Sequence, residues 1–223
     1  DFASKTIYSA ENLATLPVDA HGTMVVGVAA ADGTGSMIGI APNADILLGS
    51  FDSQAQMADA INLARSIGAV AINNSWGYTN LNATQPGYDS AFGGNGGATY
   101  LQALRSYAAE GVVVFALRND ENLTRAGIMD GLPVLEPQLE SGWIAVGNAV
   151  PEHDDTSIQS VERISSACLE SARWCLFADG AWESTTAGGG YEFSTGASFA
   201  APQVSGALAL LAEAFSGMGL TPH

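Results

Sequence analysis

Along this chain, segments with the 3.6-residue spacing of helices alternate with short runs that are apolar without interruption. The apolar runs are Asp45–Phe51 (D-I-L-L-G-S-F), Ala69–Asn73 (A-V-A-I-N), Val112–Leu117 and Trp143–Gly147. Between them, Ser53–Ile67 carries Met57, Ala60, Ile61, Ala64 and Ile67 at helical spacing and stops at Gly68. Ala98–Glu110 does the same with Leu101, Leu104, Tyr107 and Ala108 and stops at Gly111. A strand that is apolar on both faces needs cover on both faces. The alternation therefore predicts an α/β fold, a mostly parallel sheet with helices on both faces. In such sheets, sites form beyond the carboxyl ends of the strands. Asn74–Gly77 and Asn119 each follow a strand, so both are placed on that edge.

Asp1–Pro17 has no period and reads as a surface connection. From His21 the run G-T-M-V-V-G-V-A-A-A is small and apolar on all sides, as in a buried helix, with Asp19 as its N-cap. Tyr78–Gly97 reads as a polar, Gly-rich loop and Arg118–Ser141 as a long loop. Val161–Ser166 and Trp174–Ala178 are short strand candidates, and Ala187–Gly190 is a flexible turn. Phe199–Phe215 has the length and Ala/Leu content of a second buried helix. With no repeat and no linker, the 223 residues read as one domain, 1–223.

A net charge of −16 with only 13% charged residues speaks against a nucleic-acid partner, which needs clustered Lys and Arg. No apolar run reaches membrane-spanning length. No acidic loop has an EF-hand pattern, so no metal ligands are assigned. No cofactor is expected.

Four places could carry chemistry, and each has a plain structural alternative. The turn Thr195-Gly196-Ala197 delivers Ser198 to a helix start, where a serine reads as an N-cap or as a nucleophile whose oxyanion meets the helix N–H groups. His21 opens a buried helix, where the dipole and desolvation disfavour the imidazolium. It reads equally as a general base and as a packed or capping histidine. Asn119 is a loop asparagine or the side-chain donor of an oxyanion hole. Ser75-Trp76-Gly77 is a strand-to-turn transition or a backbone edge for an extended peptide. The two cysteines, Cys168 and Cys175, read as unconnected thiols or as a short-loop disulfide.

In this order, H-G-T-M-V-V-G-V-A-A, N-N-S-W-G, V-V-V-F-A-L-R-N and G-A-S-F-A-A-P-Q-V-S-G resemble the subtilisin-like serine proteases, or subtilases, over nearly the whole chain. The resemblance implies a three-layer subtilisin-like fold. It implies a peptidase acting on peptide or protein substrates, with Ser198 as nucleophile, His21 as general base, and Asn119 with the Ser198 N–H as oxyanion hole. Ser75, Trp76 and Gly77 would bind the substrate backbone and wall the specificity pocket, and Asp19 would be structural. The N-N-S-W-G block and S-A-C-L-E-S-A-R-W-C look like the branch found in bacterial autotransporter passenger domains. That likeness implies a Cys168–Cys175 disulfide, a place in a longer autotransporter polypeptide, and work outside the cytoplasm or at the bacterial cell surface.

Three departures from the family pattern stand out. The family's aspartate lies upstream of the histidine in D-S-G or D-T-G, and neither occurs here. Asp1 lies only twenty residues before His21 and is followed by Phe2. The expectation is a chain that starts just downstream of that aspartate and its strand, with little turnover of its own. Ala197 replaces a usual threonine, and Arg118 replaces a usual glycine, from where its long cation could reach the specificity pocket. These departures favour, as the alternative, a non-catalytic subtilase-like domain for binding or presentation. A serine esterase of the α/β-hydrolase type would need G-x-S-x-G and a later histidine. The last glycine is missing, and the only later histidine is the terminal His223.

Overall fold

Strand β4 (Val112–Ala116) divides the apolar side chains between two layers. Val113 and Phe115 join a cluster with Ile61 of α2 (Gln54–Ser66) and with Tyr100 and Leu104 of α4 (Gly97–Ala108). Val112 and Val114 instead meet Ala200 and Ala201 of α5 (Ala197–Ala214). Successive side chains of a strand point to opposite faces, so an unbroken apolar run is what a sheet with helices on both sides requires. Each large side chain taken out of water here contributes about 1.5–3 kcal/mol. The computed structural model describes residues 1–216, so His223 lies outside the described residues.

Parallel to β4 lie β3 (Ala71–Asn74) on one side and the first half of β5 (Trp143–His153) on the other. Then β7 (Cys175–Ala178) pairs in parallel with β5. Helix α1 (Ala20–Ala30) packs beside α5. Helix, sheet and helix layers are thus present as the sequence predicts. Ser53 caps α2 by accepting the Gln56 N–H at 3.3 Å, and Gly68 follows the helix at φ +71°.

Other segments depart from the sequence reading. Asp1–Pro17 contains a strand, β1 (Ile7–Ser9), which pairs in parallel with β2 (Ile46–Leu48) in a ribbon separate from the main sheet. The Tyr78–Gly97 loop contains α3 (Gln85–Phe92), capped by Thr84, whose hydroxyl accepts the Gly87 N–H, and with Pro86 in its first turn. Arg118–Ser141 folds into two 3-10 segments, Leu132–Val134 and Pro137–Gly142, that bury Leu132 and Leu139. Strand β5 outruns its apolar half and turns back as an antiparallel hairpin with β6 (Ile158–Arg163). The Gly188–Gly190 turn closes a further hairpin, β8 (Ala181–Thr185) with β9 (Tyr191–Thr195). Cys168 and Cys175 are joined as a disulfide across the turn Leu169–Trp174.

Helix α1 is held against β8 by two hydroxyls. Ser184 Oγ donates to the Met24 carbonyl at 2.7 Å and Thr185 Oγ1 to the Thr23 carbonyl at 2.9 Å. The approach is close enough that a Cβ on Gly27 would stand 2.4 Å from Thr185 Oγ1 and 2.5 Å from Ser184 Oγ. Gly27→Ala therefore forces the helix off the hairpin, and urea unfolding is expected to show a loss of about 1–3 kcal/mol despite alanine's better helix propensity. For the short disulfide loop, replacing both cysteines by serine is expected to lower stability by about 2 kcal/mol in the same assay.

Candidate active site

The amino end of α5 is the structural centre of the site. Its N-cap, Gly196, has no side chain, and the capping acceptor comes from another part of the chain. Asn119, in the loop after β4, accepts the Ala197 N–H through Oδ1 at 2.8 Å. A Cβ on Gly196 would sit 3.1 Å from Asn119 Nδ2, so a glycine lets the amide approach. With Oδ1 engaged, Nδ2 is left as the donor. The Ser198 N–H, in the first turn, is one of the groups a helix cannot satisfy itself. Neither donor has an acceptor among the described residues.

The turn is gripped from its other side by Asn148, which sequence reasoning missed. Its Oδ1 accepts the Gly180 N–H at 2.8 Å and its Nδ2 donates to Thr195 Oγ1 at 3.2 Å, while Gly196 N–H donates to the Gly180 carbonyl at 3.1 Å. The signal was an asparagine inside the run W-I-A-V-G-N, since a fully buried amide must find partners.

Ser198 is the second residue of α5 and half-buried, and it is not the cap. Its hydroxyl donates to the Ser75 carbonyl at 3.3 Å, and the Ser75 hydroxyl donates to the Ser198 carbonyl at 2.8 Å. The pair ties the start of α5 to the end of β3. His21 is brought to the neighbouring residue: its ring meets that of Phe199 edge-on, with centroids 5.8 Å apart. The expected desolvation is absent, because His21 is exposed at the free first turn of α1 rather than buried with the helix body. It forms no hydrogen bond to Ser198 or to a carboxylate among the described residues. The two aspartates that precede it are engaged elsewhere. Asp19 caps α1 by accepting the Gly22 N–H, the structural role expected of it. Asp1 accepts from the Gly35 N–H at 2.7 Å and the Tyr191 hydroxyl at 2.6 Å.

Trp76 is fixed in an aromatic cluster, stacked on Phe51 at 6.2 Å and edge-on to Phe115 and Tyr78. Its Nε1 donates to Asn74 Oδ1 at 3.1 Å. Gly77 is exposed, and a Cβ there would meet nothing within 4 Å, so the backbone edge beyond Trp76 is open. Arg118 does not project as a free cation. Its guanidinium donates to the carbonyls of Thr79 and Arg125 and to Asn82 Oδ1, lacing together the loops on either side of Asn119. Among the described residues, no group of three or more His, Cys, Asp or Glu is gathered as a metal site, and no helix is long and apolar enough to cross a membrane.

A parallel sheet between helix layers, with a serine in the first turn of a buried helix beneath a side-chain amide, defines the subtilisin-like class of fold. The chain belongs to the subtilase family, whose family model matches residues 3–223. It is 27% identical over 180 residues to serotype-specific antigen 1 of Mannheimia haemolytica, an alignment covering 75% of this chain and 19% of that protein. The chain thus spans about a fifth of that relative's length. Among solved structures it resembles the prenylagaramide maturation protease PagA, at 23% identity and TM-score 0.71, covering 99% of this chain and 73% of that one. It also resembles sphericase, at 22% identity and TM-score 0.66, covering 100% and 74%. At these identities the structural likeness speaks for the fold alone.

Near Arg118, burial pushes the Asp130 carboxyl up to about 6, against the pull of the Arg118 charge and the Gly127 N–H. A carboxyl with a raised folded pKa adds stability below its unfolded value near 4, and that contribution is lost as pH rises through about 6. Asp130→Asn removes this dependence. The stability of the native protein relative to Asp130→Asn is expected to fall by about 2–3 kcal/mol between about pH 4 and pH 7.5 in urea unfolding. A flat difference would mean that the Asp130 carboxyl titrates at the same pH in the folded and unfolded states.

Proposed function

We propose that this domain is a serine endopeptidase that works through an acyl-enzyme on Ser198. Ser198 Oγ attacks the scissile carbonyl carbon as its proton passes to the His21 imidazole. The resulting oxyanion is met by the Ser198 N–H and Asn119 Nδ2. As the C–N bond breaks, the imidazolium returns its proton to the leaving amine, and water then repeats the sequence on the ester. The substrate backbone runs along the edge Ser75-Trp76-Gly77.

The observation that carries this reading is the pair of donors without an acceptor at one helix end, Asn119 Nδ2 and the Ser198 N–H, at the end of α5 that also carries the Ser198 hydroxyl. Family membership and the fold shared with maturation proteases support it. Two observations favour the alternative, a binding or presentation domain: the Ser198 hydroxyl is held by Ser75, and His21 has no carboxylate partner among the described residues. We therefore place peptide turnover by these 223 residues about 10⁴-fold below that of a complete triad, the cost of losing the orienting carboxylate. We also infer work outside the cytoplasm, a reading supported by the Cys168–Cys175 disulfide and by the antigen relative, with its much longer chain.

An activated nitrophenyl ester tests the proposal, because its leaving group needs no protonation. Slow hydrolysis is expected, abolished by Ser198→Ala and reduced about 10²–10³-fold in kcat, with KM little changed, by Asn119→Leu. Hydrolysis that survives Ser198→Ala, or none in the native chain, would favour the binding domain.

A further inference from the structure

The disulfide turn Leu169–Trp174 grips the loop Arg125–Asp130 near both of its ends. Glu170 Oε2 accepts the Ala126 N–H at 2.7 Å, and Ser171 Oγ and Trp174 Nε1 both donate to the Asp130 carbonyl at 3.0 Å. Ser171 and Trp174 are buried, so their donors have exchanged water for that one carbonyl and would be costly to leave unpaired. The gripped loop is in turn an anchor of Arg118, whose guanidinium donates to the Arg125 carbonyl at 2.6 Å. The Arg118 carbonyl accepts the N–H of Ser166, two residues ahead of Cys168, at 2.8 Å. The residue before Asn119 is therefore tied to the disulfide segment through its side chain and through its backbone.

The turn does not hold its shape unaided. It is a six-residue 3-10 segment, and 3-10 hydrogen bonding is poor beyond a few residues. Leu169 stands at φ +50°, and no other non-glycine residue among those described has a positive φ. The Cβ of a leucine disfavours that region, so the surroundings must impose it. One end of the turn is fixed, because Cys175 begins β7 and β7 pairs with β5. The other end, Cys168, is closed onto it by the disulfide. Both cysteines are half-buried, and Glu170, Ala172 and Arg173 between them are exposed, so a small dithiol reaches the bond.

We propose that the Cys168–Cys175 disulfide is a redox-sensitive positioning device for Asn119. Reduction by a dithiol frees the Leu169–Trp174 turn, the Arg125–Asp130 loop loses its grip, and Arg118 no longer fixes the residue that follows it. The step is thiol–disulfide exchange. One thiolate of the dithiol attacks a cysteine sulfur to give a mixed disulfide, and the second thiol resolves it. The protein gains two electrons and two protons as a pair of thiols, and the dithiol leaves as its own disulfide. Positioning of Asn119 stands on the contacts alone. Its effect on turnover rests on the proposed serine mechanism.

The test compares the whole chain in its disulfide form and after reduction by dithiothreitol, with the dithiol removed without air because thiols cleave the nitrophenyl ester themselves. Reduction is expected to lower kcat for the ester about 10–100-fold with KM little changed, and reoxidation to restore it. In Asn119→Leu the same reduction is expected to change kcat less than about twofold, because both act on one group. Hydrogen exchange followed by NMR reads the position without turnover: the Ala197 amide, bonded to Asn119 Oδ1, is expected to exchange about tenfold faster in the reduced chain. Glu170→Ala, with the disulfide intact, is expected to move both readouts the same way, and Glu170→Gln, which keeps an oxygen for the Ala126 N–H, to restore them. If reduction unfolds the chain, the two Glu170 variants carry the comparison. An Ala197 amide that exchanges equally in both forms, or an equal loss of kcat in Asn119→Leu, would overturn the proposal. If no form hydrolyses the ester while Ala197 exchange still responds to reduction, the positioning device stands and the serine mechanism falls.

Discussion

The hydrogen bond from the Ala197 N–H to Asn119 Oδ1 is the constraint on which the rest of the site depends. A helix that starts on glycine brings no cap of its own, and Asn119 supplies one from the loop after β4. By giving up its oxygen to the helix, the amide leaves its nitrogen as a donor next to Gly196 at the helix end. One contact thus satisfies an orphan N–H, fixes the loop after β4 and leaves a side-chain donor at the start of α5. Asn148 holds the same turn from behind and Arg118 holds the Asn119 loop from its flanks, so the geometry is determined from three sides.

The half of the candidate site formed by Ser198 and His21 is less tightly held. The Ser198 hydroxyl rests on the Ser75 carbonyl, and the exposed His21 ring stands against the edge of Phe199. Helix α1 that carries His21 is well fixed, through Ser184, Thr185 and the close approach at Gly27. What is least constrained is the imidazole itself, which is exposed and forms no hydrogen bond to Ser198 or to a carboxylate among the described residues.

Much of this was legible in the sequence because burial on both faces leaves a plain mark. The run Val112–Leu117 reads as sheet interior and is buried between both helix layers, and Ala69–Asn73 reads the same way but forms β3 at the edge of the main sheet, with Val70 exposed. The elements that escaped were those with weak periodicity. Strand β1 is three residues long and largely exposed, and β6 is exposed along most of its length. Helix α3 could have been found from Thr84 and Pro86, a cap and an early proline within a loop-like composition. At the candidate site, Ser198, His21 and Asn119 were singled out by motif order. The swap of capping roles between Ser198 and Asn119 was not, because a cap supplied across the fold has no local signature. Asn148 and the Arg118 lacing act through contacts distant in sequence and were invisible for the same reason.

The most direct test of the account is a crystal structure of the chain after reaction of Ser198 with a small phosphonate. The account predicts a phosphonyl oxygen about 3 Å from both the Ser198 N–H nitrogen and Asn119 Nδ2, with Asn119 Oδ1 still accepting from Ala197. An adduct whose oxygen points to solvent, or an Asn119 side chain turned away from the helix end, would contradict it.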